Sequence, residues 1–248
     1  MSTNNKIKEA ANLIANSKRT VAFTGAGISV ESGIPPFRGK NGLWSRYDPE
    51  ILDINYFRQN PLISWKVIKE IFYDFFGQAQ PNAAHKALVK MEQKNLLQSI
   101  ITQNIDNLHQ EAGSKNVYEF HGNSRRLVCT NCGEIFIASE EKLGDLPPTC
   151  KFCSEVLKPD FIFFGEAIPE PANSKSFREA EISDLFILIG TTGEIMPASL
   201  IPRVAKEKGA TIIEINTEKS KYTNSITDIF IQEKATVALT KIVEQLSL

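Results

Sequence analysis

The chain has 248 residues, 42% of them hydrophobic, and a formal net charge of −1. That length and apolar content suffice for one large domain with a sizeable core, and no repeat or low-complexity tract argues otherwise. The near-zero charge supplies no general field for nucleic acid or anionic membrane, and no apolar run approaches the ~20 residues of a transmembrane helix.

In chain order, residues 1–19 (MSTNNKIKEAANLIANSKR) lack the unbroken apolar stretch of a signal peptide. They place Ile7, Ala10, Ala11 and Ile14 on one face of a predicted amphipathic helix. A cytoplasmic location is the expectation. The short runs TVAFT (20–24), SIITQ (99–103), FIFF (161–164), LFILIG (185–190) and TIIEIN (211–216) read as strands covered on both faces, with a further candidate at 117–120. Helical patterns at 82–95, 171–182, 197–208 and 235–246 lie between or after them. This rhythm predicts an α/β fold, a doubly wound, Rossmann-like parallel sheet. Ligands in such sheets gather at the carboxyl ends of strands, where Gly25, Gln103 and Gly190 are candidates to face one crevice.

Directly after the first strand, TGAGISVESGIPPFRG (24–39) opens with Gly25-Ala26-Gly27, a turn that lets backbone N–H groups meet a phosphate. A G-x-G-x-x-G fingerprint would place its third glycine at position 30, but Val30 is there and the next glycine is Gly33. The loop keeps the first two glycines of that fingerprint and lacks the third.

Cys129, Cys132, Cys150 and Cys153 are all the cysteines in the chain, arranged as CTNC and CKFC. Two such pairs match a structural zinc ribbon, whose four thiolates close the metal's tetrahedral shell and leave no position for a reactive water. Disulfides are the competing reading, disfavoured in a chain without a secretion signal. The segment lies between candidate strands at 117–120 and 160–164 and reads as an insertion.

Of three histidines, His85 and His109 read as structural residues. His121 ends an apolar run beside Gly122, where glycine allows a ligand close approach, and it reads equally as a structural residue or a general base.

In this order, GAGISVESGIPPFRG, TQNIDNLH (102–109), EFHGN (119–123), the paired cysteine motifs and KPDFIFFGE (158–166) resemble the sirtuin family of NAD-dependent protein deacylases. The resemblance runs from about residue 6 to the last helix. It implies a single catalytic domain over 1–248: a large Rossmann-like part at about 1–122 and 160–248, a small zinc module at about 123–159, and a helical insert at about 40–80. It implies that NAD and a structural zinc are the cofactors and that Gly25, Ala26, Gly27 and Ser29 line the pyrophosphate and nearby ribose. Phe37 and Arg38 would lie over the nicotinamide side, and the loop after Gly27 would cover that end of the cofactor. Gln103 and Asn104 would hold the nicotinamide ribose and a water, with Ile105 and Asp106 on the carboxamide. Gly190, Thr191, Thr192, Asn216 and Ala235 would complete the cofactor contacts. His121 becomes the general base, grouped with Asn104 as catalytic, in a reaction that moves the acyl group of an acyl-lysine to ADP-ribose and releases nicotinamide.

The resemblance also implies that Phe163, Phe164, Gly165 and Glu166, with Gly193 and Glu194, offer backbone to an extended substrate peptide. The FIFF run reads equally as a core strand. Two departures stand out: Pro36 replaces a usual acidic residue or threonine, and GTTGEIMPAS (190–199) replaces a serine- and valine-rich stretch. Succinyl-preferring members carry a tyrosine and an arginine near the places of Ile68 and Ile71, so neutral acyl groups are expected, acetyl first. Those isoleucines read equally as the buried face of a helix. The expected partners are acyl-lysine proteins, with no membrane or direct nucleic-acid contact and a monomeric state. Three other classes remain open: a hydride-transferring dehydrogenase, a zinc-ribbon binding module using Arg125 and Arg126, and an ADP-ribosyl transferase.

Overall fold

The computed structural model describes residues 2–37 and 42–248, apart from the side chains of residues 75 and 76. The strands are β1 (Thr20–Thr24), β2 (Ser99–Thr102), β3 (Val117–Glu119), β4 (Gly122–Cys129), β5 (Ile135–Ile137), β6 (Leu157–Phe161), β7 (Leu185–Ile189), β8 (Thr211–Asn216) and β9 (Ile229–Gln232). The α-helices are α1 (Thr3–Asn16), α2 (Ile54–Gln59), α3 (Pro61–Ile68), α4 (Ala83–Gln93), α5 (Leu108–Ala112), α6 (Glu140–Gly144), α7 (Ala172–Ile182), α8 (Ile201–Glu207) and α9 (Ala235–Gln245). A π-helical turn, Lys69–Phe75, continues α3.

Six strands form a parallel sheet in the order β3-β2-β1-β7-β8-β9. Every residue of β1, β2 and β7 is buried, as continuous apolar runs require when helices cover both faces. On one face, α1 and α9 pack with α4 over Ile187, Ile213 and Ile231. The buried residues of α1 are Ile7, Ala10, Ala11 and Ile14, the face the sequence predicts. Burying each isoleucine contributes roughly 1.5–3 kcal/mol. On the other face, α7 and α8 cover Phe23, Phe186 and Leu188.

A second sheet, antiparallel in the order β5-β4-β6, carries the cysteines. Here the structure corrects the sequence reading. The sequence pattern puts the FIFF run in the parallel sheet, but β6 is LKPDF, pairs with β4, and ends at Phe161. Beyond it, Phe164 leaves the ladder and bridges instead to Asp53, its N–H donating to Leu52 O at 2.8 Å. A run of four apolar residues records burial but not partner, so sequence alone does not fix which sheet it joins. The strand β9 carries little signal in the sequence, because IFIQ is short and follows a polar loop. Among the described residues, no helix is long and apolar enough to cross a membrane.

Candidate active site

In the parallel sheet the chain order reverses between β1 and β7, and the loops after them meet. The N–H of Gly25 donates to Ile189 O at 3.0 Å, and that of Gly27 to Gly190 O at 2.9 Å. A Cβ on Gly27 would fall 2.5 Å from Gly190 Cα, and one on Gly190, whose φ is +60°, 2.5 Å from Ile28 N. Two bare backbones in contact leave a cradle that any side chain would fill, which suits the close approach of a diphosphate. Gly25, Ala26 and the buried Ser29 lie on one side of this seam, in short 3₁₀ turns rather than a long helix. Gly190 and Thr191 lie on the other, with Thr192 exposed beyond them.

Side chains tie the crevice together. Gln103 Nε2 donates to Thr191 Oγ1 at 2.9 Å, and Asn216 Nδ2, at the end of β8, to Thr191 O at 3.0 Å. Ala235 is buried where α9 begins, and α9 packs on the Ala26–Ile28 turn. Phe37 contacts Trp44 and Phe72, with ring centroids 5.4 and 6.2 Å away. Arg38 lies outside the described residues.

The Ser29 hydroxyl is the node between the loops after β1 and β2. It donates to Asp106 Oδ2 at 2.6 Å and accepts from Asn104 Nδ2 at 3.2 Å, while the same Nδ2 donates to Gly25 O at 3.2 Å. Leu108 N–H donates to Asp106 Oδ1 at 3.0 Å. Burial nevertheless pushes the Asp106 carboxyl above its ordinary value. Ile105 is buried beside it.

His121 stands between β3 and β4, half-buried, with Nδ1 3.0 Å from Gln103 O. A carbonyl can only accept, so Nδ1 carries the proton and Nε2 keeps a lone pair. Among the described residues Nε2 has no hydrogen-bond partner, and burial lowers the ring's pKa. The arrangement is that of a neutral general base. The glycine that follows needs a correction. A Cβ on Gly122 would lie 2.2 Å from Asp160 O. What approaches closely is strand β6, not a ligand.

The segment after β6 leaves the sheet with alternating faces: Phe163 is 1% exposed and Phe164 43%. Glu166 turns inward. Its Oε2 accepts from Phe163 N at 2.7 Å and pairs with Lys158 Nζ at 3.0 Å. The buried Lys158 also donates to Pro159 O at 2.8 Å and Phe161 O at 2.7 Å. Gly165 is exposed in a left-handed conformation. Gly193 and the exposed Glu194 lie on the loop after β7. Ile68 and Ile71 are buried in the cluster that holds Phe72, Ile105 and Phe163, so the sequence's core reading of them has a place in the structure.

The four cysteine sulfurs lie within 4.8 Å of one another. The Cys129–Cys153 and Cys132–Cys150 separations are 3.4 and 3.7 Å. A disulfide requires about 2.05 Å, whereas four sulfurs about 2.3 Å from a central zinc stand roughly 3.8 Å apart. The thiols therefore fit a tetrahedral metal.

Sequence reasoning left out two features. Lys158 carries a weak signal, a lone cation inside the apolar LKPDFIFF stretch. The other is a buried chain beneath the site. His85 and His109 meet edge to face at 4.9 Å, His109 Nε2 lies 2.9 Å from Thr24 Oγ1, and Thr24 bonds Thr102, whose hydroxyl accepts from Asn104 N at 3.0 Å. Those threonines had no signal beyond their strands.

Known proteins share this architecture. The model of the Sir2 family matches residues 25–197. The NAD-dependent protein deacylase of Aeropyrum pernix is 44% identical over 92% of each chain. The NAD-dependent protein deacetylase 1 of Pyrobaculum aerophilum is 43% identical over 98% of this chain and 96% of its own. Among solved structures, a Sir2 chain with a deacetylated p53 peptide and 3′-O-acetyl-ADP-ribose superposes with a TM-score of 0.91 at 33% identity, covering 96% of this chain and 98% of that one. Sir2Tm bound to a propionylated peptide gives 0.89 at 32% identity, covering 97% and 98%.

Proposed function

The chain belongs to the Sir2 family of NAD-dependent protein deacylases, and we propose that His121 is the general base with which it transfers the acyl group of an acyl-lysine to ADP-ribose. The observation that carries the assignment is the His121–Gln103 hydrogen bond, which leaves Nε2 as an unshared acceptor. Bound NAD supplies the ribose carbon from which nicotinamide departs and the hydroxyls that receive the acyl group. The chain's own groups do the rest. Gly27 and Gly190 admit the diphosphate, Gln103 and Asn104 hold the ribose, and Asp106 and Ile105 grip the carboxamide. His121 Nε2 takes the hydroxyl proton. The four cysteines hold zinc, which keeps the small module folded and takes no part in the reaction.

Acetyl-lysine is the preferred substrate in this reading, since the apolar Ile68 and Ile71 region offers no charge to bind an acidic acyl group. The segments around Gly165 and Gly193 receive the peptide backbone. A reducing, cytoplasmic compartment suits the four-thiolate site, and the chain acts as a monomer in this reading.

Specific observations weigh against other classes. A zinc-ribbon nucleic-acid reader would need free cations, but Arg125 pairs with Glu111 and Arg126 with Asp160. A dehydrogenase would need an acid at the end of β2, where Thr102 and then Gln103 stand. ADP-ribosyl transfer uses the same site and is separated by product mass. The test is mass spectrometry of an acetyl-lysine peptide with and without NAD, beside His121→Ala. NAD-dependent loss of acetyl with formation of O-acetyl-ADP-ribose is expected. Consumption of NAD with the acetyl group retained would overturn the reading.

A further inference from the structure

A cleft of about 430 Å³ opens between α2 and the antiparallel sheet, lined among others by Asn55, Arg58, Lys158, Asp160, Gly165 and Glu166. The exposed Gly165 is part of its lining, so the cleft borders that edge of the chain. Its position relative to the edge is fixed. Asp53 caps α2, accepting from Asn55 N at 2.8 Å, and Ile54 N–H donates to Phe164 O at 3.1 Å. Phe57 meets Phe163 edge to face at 5.2 Å.

The charges lining this cleft do not all cancel. Lys158 and Glu166 satisfy each other, and Asp160 Oδ2 accepts from Arg126 Nε at 2.8 Å. The exposed side chain of Arg58 makes no hydrogen bond or ion pair among the described residues. One guanidinium, in the last turn of α2, is therefore left facing a polar cleft with no counter-ion. A planar fork of donors is the geometry that a carboxylate fits best.

We propose that Arg58 and its cleft form a subsite for an acidic side chain flanking the acyl-lysine of the substrate. This rests on the deacylase reading, because it takes the Gly165 edge as the place where the peptide lies. The occupant is an Asp or Glu of the peptide, held at one place in the extended strand. The subsite sets which lysines are chosen and leaves the chemistry at His121 untouched.

The test uses acetyl-lysine peptides on an alanine background with Asp, Ala or Lys at each flanking place in turn. They are turned over by the wild-type protein, R58A and R58E, with KM and kcat measured separately at low and high salt. At one flanking place, Asp should lower the wild-type KM about two- to fivefold relative to Ala, the range of an exposed ion pair, with kcat unmoved. High salt should erase the difference. The Asp-to-Ala ratio should collapse to one in R58A and invert in R58E, which should favour Lys at the same place. A merely structural role for Arg58 would not invert a preference. Equal KM values at every place, or an Asp preference that survives in R58E, overturn the subsite alone. Loss of no acetyl group from any peptide overturns the deacylase reading and the subsite with it.

Discussion

The imidazole of His121 is held by its Nδ1–H on the main-chain oxygen of Gln103, 3.0 Å away, so the residue that fixes its tautomer belongs to the loop that also contacts Thr191 across the crevice. The tautomer of His121 and a hydrogen bond across the crevice are set by one residue.

On the proposed mechanism, His121 therefore works in its neutral form at neutral pH. Burial puts its pKa below the usual value of about 6.5, and a base acts while deprotonated, above its pKa. Turnover should hold steady as pH falls to about 6.5 and decline only below it. His121→Ala should lower kcat about a hundred- to ten-thousand-fold. Calorimetry should still detect NAD binding in that variant; retention of near-normal kcat would remove His121 from the mechanism.

Lys158→Met should destabilise the chain by about 3–5 kcal/mol, because it leaves the Glu166 carboxylate without the cation that pairs with it. Adding Glu166→Gln should recover much of that loss. Urea unfolding of the single and double variants measures both. Equal stability of Lys158→Met and wild type would show that the pair contributes nothing.

Replacing Cys150 with serine should abolish zinc binding, since a hydroxyl is a poor substitute for one of four thiolates. Atomic emission on the purified variant should show metal content falling to near zero. The parallel sheet has its own core, so far-UV circular dichroism should retain most of its strand and helix signal. Undiminished zinc in the variant would mean that other groups hold the ion.

Acid should unfold the chain partly through His85 and His109. Burial lowers His85 to about 4 and drives His109 well below its ordinary value, with the neighbouring His85 adding to the effect. An unfolded chain binds protons at these rings below about 6.5 while the folded one does not, so stability is complete above that pH and is lost as pH falls toward 4. For His85 alone the total is on the order of 3 kcal/mol at pH 4. Urea midpoints between pH 7 and 5 should fall in wild type and fall less in His85→Gln; a flat profile in wild type would contradict the buried neutral pair.

What could be read from the sequence is what local chemistry dictates. Gly25, Gly27 and Gly190 follow β-branched runs, and only a crevice at strand ends uses glycines so. The cysteines declare themselves by spacing. Lys158 and Arg58 did not, because what distinguishes them is the presence or absence of a partner in three dimensions, and nothing in a linear pattern records that. The FIFF run does not reveal its sheet, because apolarity says that a residue is buried without saying against what. Gly122 reads as a point of ligand approach in the sequence because the strand that crosses it arrives from nearly forty positions later.

The backbone bridge between Phe164 and residues 52–54, together with the Ile162 N–H donated to His121 O at 2.9 Å, makes one short stretch answer to two neighbours. The main chains of α2 and of His121 are thus clamped to the two ends of the same three residues. A substitution that shifted α2 as a body would disturb the frame of the histidine, whereas one confined to a side chain on its surface, such as Arg58, would not, so the outward face of this helix is free to vary and its seat is not.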